Sequence, residues 1–237
     1  MGRAFEYRKE RKMKRWASMA KTFTRIGREI AIAVRDGGPD PEYNPRLRLA
    51  IQNAKAANMP KTNVENAIKK ASSKDAESYE ELVYEGYAPH GVALMVETAT
   101  DNPTRTVASV RHIFSKYGGS LGVSGSVDYM FSRKGIFKIA KEGQDPEELE
   151  LGLIDYGLEE LRVDGDQLIL QCEFEDFGNL QKGLEEFDLE LKESELIRIP
   201  GHYKDLEDSE VEDVIKLIEK MEEDEDVTNV FHNMNEE

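Results

Sequence analysis

The chain carries a single cysteine, Cys172, among 237 residues, so no disulfide forms within it and a reducing compartment is expected. Histidine is almost as sparse. His90, His112, His202 and His232 lie far apart without metal-ligand spacing, so no metal is expected. No run approaches the ~18 consecutive apolar residues of a membrane span, and no apolar signal-peptide core follows the basic start of the chain. Membrane insertion and secretion are therefore not expected, and the cytoplasm is. No nucleophile constellation or acid-base pair stands out, which argues against an enzyme and leaves no cofactor to expect. Apolar residues at 39% suffice for a buried core.

Charge is abundant and unevenly placed. Residues 1–70 hold 17 Lys+Arg against 7 Asp+Glu, a balance of +10, whereas the remainder of the chain stands at −26. A basic block beside an acidic body is the footprint expected of a polyanion-binding protein, because neutralising phosphates releases their condensed counterions. The alternative is a solvated, salt-bridged face.

Within that block, Phe23, Ile26, Ile30, Ala33 and Val34 recur at helical spacing over residues 21–35, and Asp36-Gly37-Gly38 supplies a stop. Lys21, Arg25, Arg28 and Arg35 fall on the opposite side of the wheel, a row of cations suited to a sugar-phosphate backbone. Upstream, Arg3, Arg8, Lys9, Arg11, Lys12, Lys14 and Arg15 form a basic arm interleaved with Phe5, Tyr7 and Trp16. The charges of this arm, rather than stacking by its aromatics, are expected to make the contacts. A second helix is expected to start at Asn44-Pro45, with Leu47, Ala50, Ile51 and Ala54 inward. Thr62-Asn63-Val64-Glu65 matches a capping box for a third helix. Arg46, Arg48, Lys55, Lys61, Lys69 and Lys70 extend the cationic surface as contacts of second rank. Residues 1–75 thus read as an all-helical basic domain, and residues 72–81 as a polar linker.

The acidic body alternates elements. Strands are expected at 82–87 and 92–98, a helix at 104–117 and a further strand at 126–131. Residues 135–199 then read strand, helix, strand, strand, helix, strand, with Asp164-Gly165-Asp166 as a hairpin turn, which is the order of a ferredoxin-like unit. A helix at 210–222, with Val211, Val214, Ile215, Ile218 and Met221 on one face, and a strand at 227–231 follow. The last two have no partner nearby in sequence. The economical arrangement is α+β with three domains: helical 1–75, a discontinuous α/β domain from 82–134 with 205–237, and an inserted ferredoxin-like domain at 135–204.

Individual motifs have modest readings. Asn102 and Arg105, in Asp101-Asn102-Pro103-Thr104-Arg105-Thr106, form a possible anion site at a helix start, although a turn and N-cap explain them as readily. The glycine-rich stretch from Gly118 to Gly125 lacks the Lys-Ser/Thr of a P-loop and reads as a helix stop and loop. The acidic run Glu222-Glu223-Asp224-Glu225-Asp226 reads as a solvated turn, His112 as a helix-surface residue and Cys172 as a packing residue.

Several motifs taken together suggest a family. Asn44-Pro45-Arg46-Leu47-Arg48-Leu49-Ala50-Ile51, Ala54-Lys55-Ala56-Ala57-Asn58-Met59-Pro60-Lys61, Tyr84-Glu85-Gly86-Tyr87 with Pro89 and Gly91, and Thr100-Asp101-Asn102 with Arg105-Thr106 resemble the YebC family. Gly118-Gly119 with Leu121-Gly122, and Asp226-Val227, Asn229-Val230 and Asn233 at the end, extend the resemblance over nearly the whole chain. The start departs from it: Gly2-Arg3-Ala4-Phe5-Glu6 stands where the family has Gly-His-Ser-Lys-Trp. The resemblance implies three domains and a cytoplasmic DNA-binding transcriptional regulator. It equally implies a translation factor, because family members, a mitochondrial translational activator among them, associate with the ribosome and relieve stalled synthesis. The expected partner is thus DNA or ribosomal RNA, with a protein partner possible through the acidic domains. A small-ligand sensor is the remaining, least supported class.

Overall fold

A computed structural model of the chain describes residues 3–73 and 78–235, with side chains from Met19 onward in the first helix. The chain divides into two compact units, residues 1–79 and 80–237.

The first unit is three helices: α1 (Arg3–Gly37), α2 (Pro45–Ala56) and α3 (Lys61–Ala71). Ile26, Ile30, Ala33 and Val34 of α1 bury against Leu47, Ala50 and Ala54 of α2 and Val64 of α3, as the periodicity predicts. Helix α1 is much longer than expected, since the upstream arm continues it as far as Arg3. That arm is rich in Arg, Lys and Glu with neither Gly nor Pro from Arg3 to Trp16, so its backbone propensity favours extension. Asn44 caps α2 by accepting from the Leu47 N–H at 3.0 Å. Its amide also donates to the Ala33 and Gly38 carbonyls at 2.7 and 2.8 Å, tying the end of α1 to the start of α2. The capping box expected at Thr62 is not formed. Helix α3 begins at Lys61 behind Pro60, so Thr62 already lies inside the first turn.

The second unit has two four-stranded antiparallel sheets. The first contains β1 (Glu80–Tyr87), β2 (Ala93–Thr100), β3 (Ser120–Leu121) and β8 (Val227–His232) in the order β3-β1-β2-β8. Strand β1 starts two residues earlier than expected, Glu80 and Glu81 pairing with Thr100 and Ala99, which shortens the linker. Helices α4 (Pro103–Lys116) and α7 (Asp208–Glu223) cover one face through Val110, Phe114, Val214, Leu217 and Met221. Ala93, Met95, Val127 and Phe131 pack on the other. Being covered on both sides, β2 reads as a continuous apolar run rather than an alternation. On α7, Leu217 is buried while Ile215, expected inward, is 40% exposed. Leu217 follows Val214 by three residues and precedes Met221 by four, so it completes the stripe and Ile215 turns outward.

The second sheet contains β4 (Phe131–Ala140), β5 (Leu158–Asp164), β6 (Gln167–Glu173) and β7 (Leu191–Pro200) in the order β5-β6-β4-β7. Helices α5 (Pro146–Leu153) and α6 (Phe177–Glu186) share a core with it, including Phe137, Ile139, Leu149, Leu153, Leu180 and Leu184. The helix expected at 146–156 ends as α5 at Leu153 and finishes in a single 3-10 turn, closed by Gly157 at φ 88°. Gly135 lies under the Phe177 ring, where an added Cβ would sit 2.5 Å from the ring and 2.7 Å from Cys172 Sγ. The sequence between β7 and α7 returns the chain to the first sheet, where β8 pairs with β2.

The strand expected at 126–131 is not one. Residues 128–130 form a 3-10 turn and β4 begins at Phe131. The physical reason is Glu85 on β1. Its buried carboxylate accepts from the N–H groups of Gly125 at 2.7 Å, Val127 at 2.8 Å and Asp128 at 2.9 Å, so these donors serve a side chain instead of a ladder. No described helix is long and apolar enough to cross a membrane.

Candidate nucleic-acid interface

On α1, the opposed faces hold only in part. Arg25 and Arg35 are exposed, whereas Lys21 and Arg28 are half-buried. Ile32 sits within the same angular sector as the cations, between Arg28 and Arg35, yet is 1% exposed. Tyr79 lies over this part of the helix: the Arg28 guanidinium stands 5.4 Å from its ring centroid, and Arg35 donates to its carbonyl. Arg35 also pairs with Asp36 at 2.9 Å. The C-terminal half of the cationic row therefore carries packing duties that periodicity alone did not reveal. The side chains of Arg8, Lys9, Arg11, Lys12, Lys14 and Arg15 lie outside the described residues.

The second-rank cations separate into two kinds. Arg48 is half-buried and clamps the loop before α2, donating to the Pro41 and Glu42 carbonyls at 3.0 and 2.9 Å. Arg46 is exposed beside Asp36 at 3.3 Å, and Lys61 beside Glu65 at 3.8 Å. Lys55, Lys69 and Lys70 are exposed on α2 and α3. An exposed ion pair is weak, so a phosphate displaces such a carboxylate at little cost. Apart from Arg35, which is exposed but held by Tyr79 and Asp36, the exposed cations among the described residues of this unit are Arg25, Arg46, Lys55, Lys61, Lys69 and Lys70.

In the second unit, the suspected anion site at Asn102 and Arg105 already holds carboxylates of the chain itself. Asn102 caps α4, accepting from Arg105 N–H at 3.0 Å. The Arg105 guanidinium donates to both Asp226 and Asp101 at 2.8 Å, contacts that hold it above the ordinary guanidinium range. Asp226 is buried and accepts further from Thr106 at 2.7 Å and Thr100 at 3.1 Å. Any external anion there would compete with these carboxylates. The acidic run is consequently not uniformly solvated: Glu222, Glu223 and Glu225 are exposed, but Asp226 is a core hub, and Asp224 accepts from Ser109.

The glycine-rich loop is likewise engaged from within, through Glu85. Burial alone would push the Glu85 carboxyl up, but the Val127, Gly125 and Asp128 N–H groups and the nearby Arg198 outweigh it and hold the group below the usual range. Arg198 on β7 pairs with Glu97 of β2 at 2.8 Å and with Asp128 at 3.2 Å, joining the two sheets. Neither Glu85 nor Asp226 stands out in sequence as buried. The one available signal is a carboxylate placed in a strand between Tyr84 and Gly86. His112 is exposed on α4 and Cys172 is buried, its thiol pushed up to about 12 chiefly by desolvation. Among the described residues no group of His, Cys, Asp and Glu is arranged to hold a metal ion.

Comparison with known proteins follows the division of the chain. A family model described as the TACO1/YebC protein N-terminal domain matches residues 3–74, and one described as the TACO1/YebC second and third domain matches residues 79–234. A Flavobacterium johnsoniae protein is 58% identical over the full length of both chains, and a Porphyromonas gingivalis protein is 57% identical over all of this chain and 98% of its own. Both are named "Probable transcriptional regulatory protein". A solved structure of a conserved hypothetical protein from Aquifex aeolicus matches with a TM-score of 0.79 at 40% identity, covering 91% of this chain and 90% of that one. With both units matched in order and along nearly their whole length, the chain belongs to the TACO1/YebC family.

Proposed function

We propose that the chain is a non-enzymatic, DNA-binding transcriptional regulatory protein that grips the phosphate backbone through its N-terminal unit. The names of its relatives support the regulatory role, and the exposed cations of α1, α2 and α3 support the mode of contact. The observation that carries the reading is the charge of the units: residues 1–79 hold 18 Lys+Arg against 9 Asp+Glu, and residues 80–237 hold 14 against 39. Non-specific affinity for nucleic acid comes almost wholly from such cations. On this reading the second unit is two domains. The sheet from β4 to β7 is ferredoxin-like, as its strand order suggests, and is inserted into the domain that β8 completes.

The test is partition at physiological salt. Purified protein is mixed with ribosomes and excess duplex DNA, sedimented, and compared with the Arg25→Glu/Lys55→Glu variant. Arg28, Arg35 and Arg48 are left intact because their local contacts are structural. Retention on DNA by the wild type, lost in the variant, is expected. Sedimentation with ribosomes despite the DNA would overturn the regulator reading in favour of a translation factor whose cations meet ribosomal RNA. Unchanged binding by the variant would remove the N-terminal unit from the interface.

A further inference from the structure

On the helical side of the second sheet, three large apolar side chains, Leu151, Ile154 and Phe187, are exposed on and beside α5. Leu149 and Leu153 turn the inner face of α5 into the core, which leaves Leu151 on the outer face at 75% exposure. Ile154, three residues on in the 3-10 turn, shares that face at 54% exposure. Phe187, at the end of α6, is 42% exposed and rests on α5 at Gly152, where a Cβ would come within 2.7 Å of the ring. Tyr156 holds the ring from the side, edge to face at 6.4 Å between centroids. Leu151 and Ile154 thus share one face of α5, and Phe187 flanks the helix at Gly152.

The α5 segment is strongly acidic, with Lys182 of α6 as an exposed cation on the neighbouring helix. Residues 142–161 contain eight carboxylates and no Lys, Arg or His. Some of these have local duties: Asp145 caps α5, accepting from Glu147 N–H at 3.0 Å, Glu147 and Glu148 favour the positive end of the helix, and Glu159 and Glu160 pair with Lys134 and Arg162 at 2.7 and 2.9 Å. Those duties do not extend to Glu150 or Asp155, which are exposed, nor to the exposed Leu151 and Ile154. A solitary molecule gains nothing from displaying contiguous apolar surface.

We propose that this face of α5 and the end of α6 docks a cationic amphipathic helix of a partner protein, apolar side chains on Leu151, Ile154 and Phe187 and lysines or arginines on the surrounding carboxylates. Charge complementarity selects the occupant. Pairing of this face with itself in a second copy would oppose like charges, and nucleic acid would meet the same repulsion. The mode is that of helix-on-groove recognition, with apolar anchors for affinity and a charged rim for rate and selectivity.

The experiment titrates the full-length protein into a fluorescein-labelled synthetic helix with leucine along one face and lysine along the other, read by anisotropy at physiological salt. Saturable binding is expected, and Leu151→Ser/Ile154→Ser, which keeps every charge, should weaken it by about tenfold or more, as loss of central apolar anchors does. Ile215→Ser on α7, an exposed isoleucine also set among acidic neighbours, should leave binding unchanged. Thermal melts of both variants check folding, and duplex DNA binding should be unaffected by either. Absence of saturable binding, equal binding by the Leu151/Ile154 variant, or equal loss in the Ile215 variant would each overturn the proposal. So would a wild-type dimer that the Leu151/Ile154 variant abolishes, since the occupant would then be a second copy.

Discussion

Glu85 and Asn44 each spend one side chain on several backbone groups. The Glu85 carboxylate serves three N–H donors through both oxygens, and replacing it with Gln removes the charge, keeps one acceptor oxygen and turns an amide NH2, which cannot accept, toward the remaining N–H. Hydrogen bonds to charged groups contribute more than neutral ones, so Glu85→Gln is expected to cost about 2 kcal/mol in urea unfolding with an unchanged m value. The pH dependence follows from the lowered carboxyl pKa. Stability linked to Glu85 is complete above the unfolded-state pKa of about 4.3 and is lost as pH falls through the lower folded value. Acid titration of stability should therefore be steeper for the wild type than for the Gln variant below about pH 4.5. Asn44→Ala removes a helix cap together with two donor bonds, one buried and one partly so, and should cost about 2–3 kcal/mol by the same assay.

Elements differ in how openly the sequence declares them. The core faces of α1 and α2, the Asn102 cap on α4 and the Asp164-Gly165-Asp166 turn were legible, because periodicity and cap chemistry are local. The loop at 122–130 was not, since its conformation answers to Glu85 some 40 residues away, and alternation around Val127 imitates a strand. Likewise the cationic row on α1 was readable from spacing, but Ile32 and Tyr79 on the same face were not, because burial there depends on where another segment runs. In the second sheet, Cys172 reports on integrity. With its thiol pushed up to about 12 and no exposed surface, it should resist iodoacetamide at pH 8 in the native protein. The rate of modification should rise with urea in step with unfolding, and fast labelling in water would mean that β6 opens independently of the whole.

At the scale of the molecule, the separation of charge between the two units sets the response to salt. If six exposed cations of the first unit, Arg25, Arg46, Lys55, Lys61, Lys69 and Lys70, each meet a phosphate on duplex DNA while Arg35 stays with Tyr79 and Asp36, log K should fall against log salt with a slope of about −5. Reversing Arg25 and Lys55 should flatten the slope by about 2 units. A slope near zero would show that contacts other than phosphate dominate. On the proposed reading the acidic second unit would repel the same polyanion, leaving the cations of α1, α2 and α3 to make the contact.

The pairing of β8 with β2 also governs how this chain comes into being. Strand β2 ends at Thr100 and β8 starts at Val227, so 126 residues must be synthesised before the first sheet acquires its last strand. At about 5–20 residues per second, β2 waits between about 6 and 25 s with one edge open, long enough for edge-to-edge association between nascent chains. Residues 131–200 form their own sheet in that interval, so the middle of the chain can fold before the first sheet is complete. A chain stopped before Val227 should therefore keep the β4 to β7 sheet yet aggregate through β2, a result that light scattering and limited proteolysis of the truncated product would register.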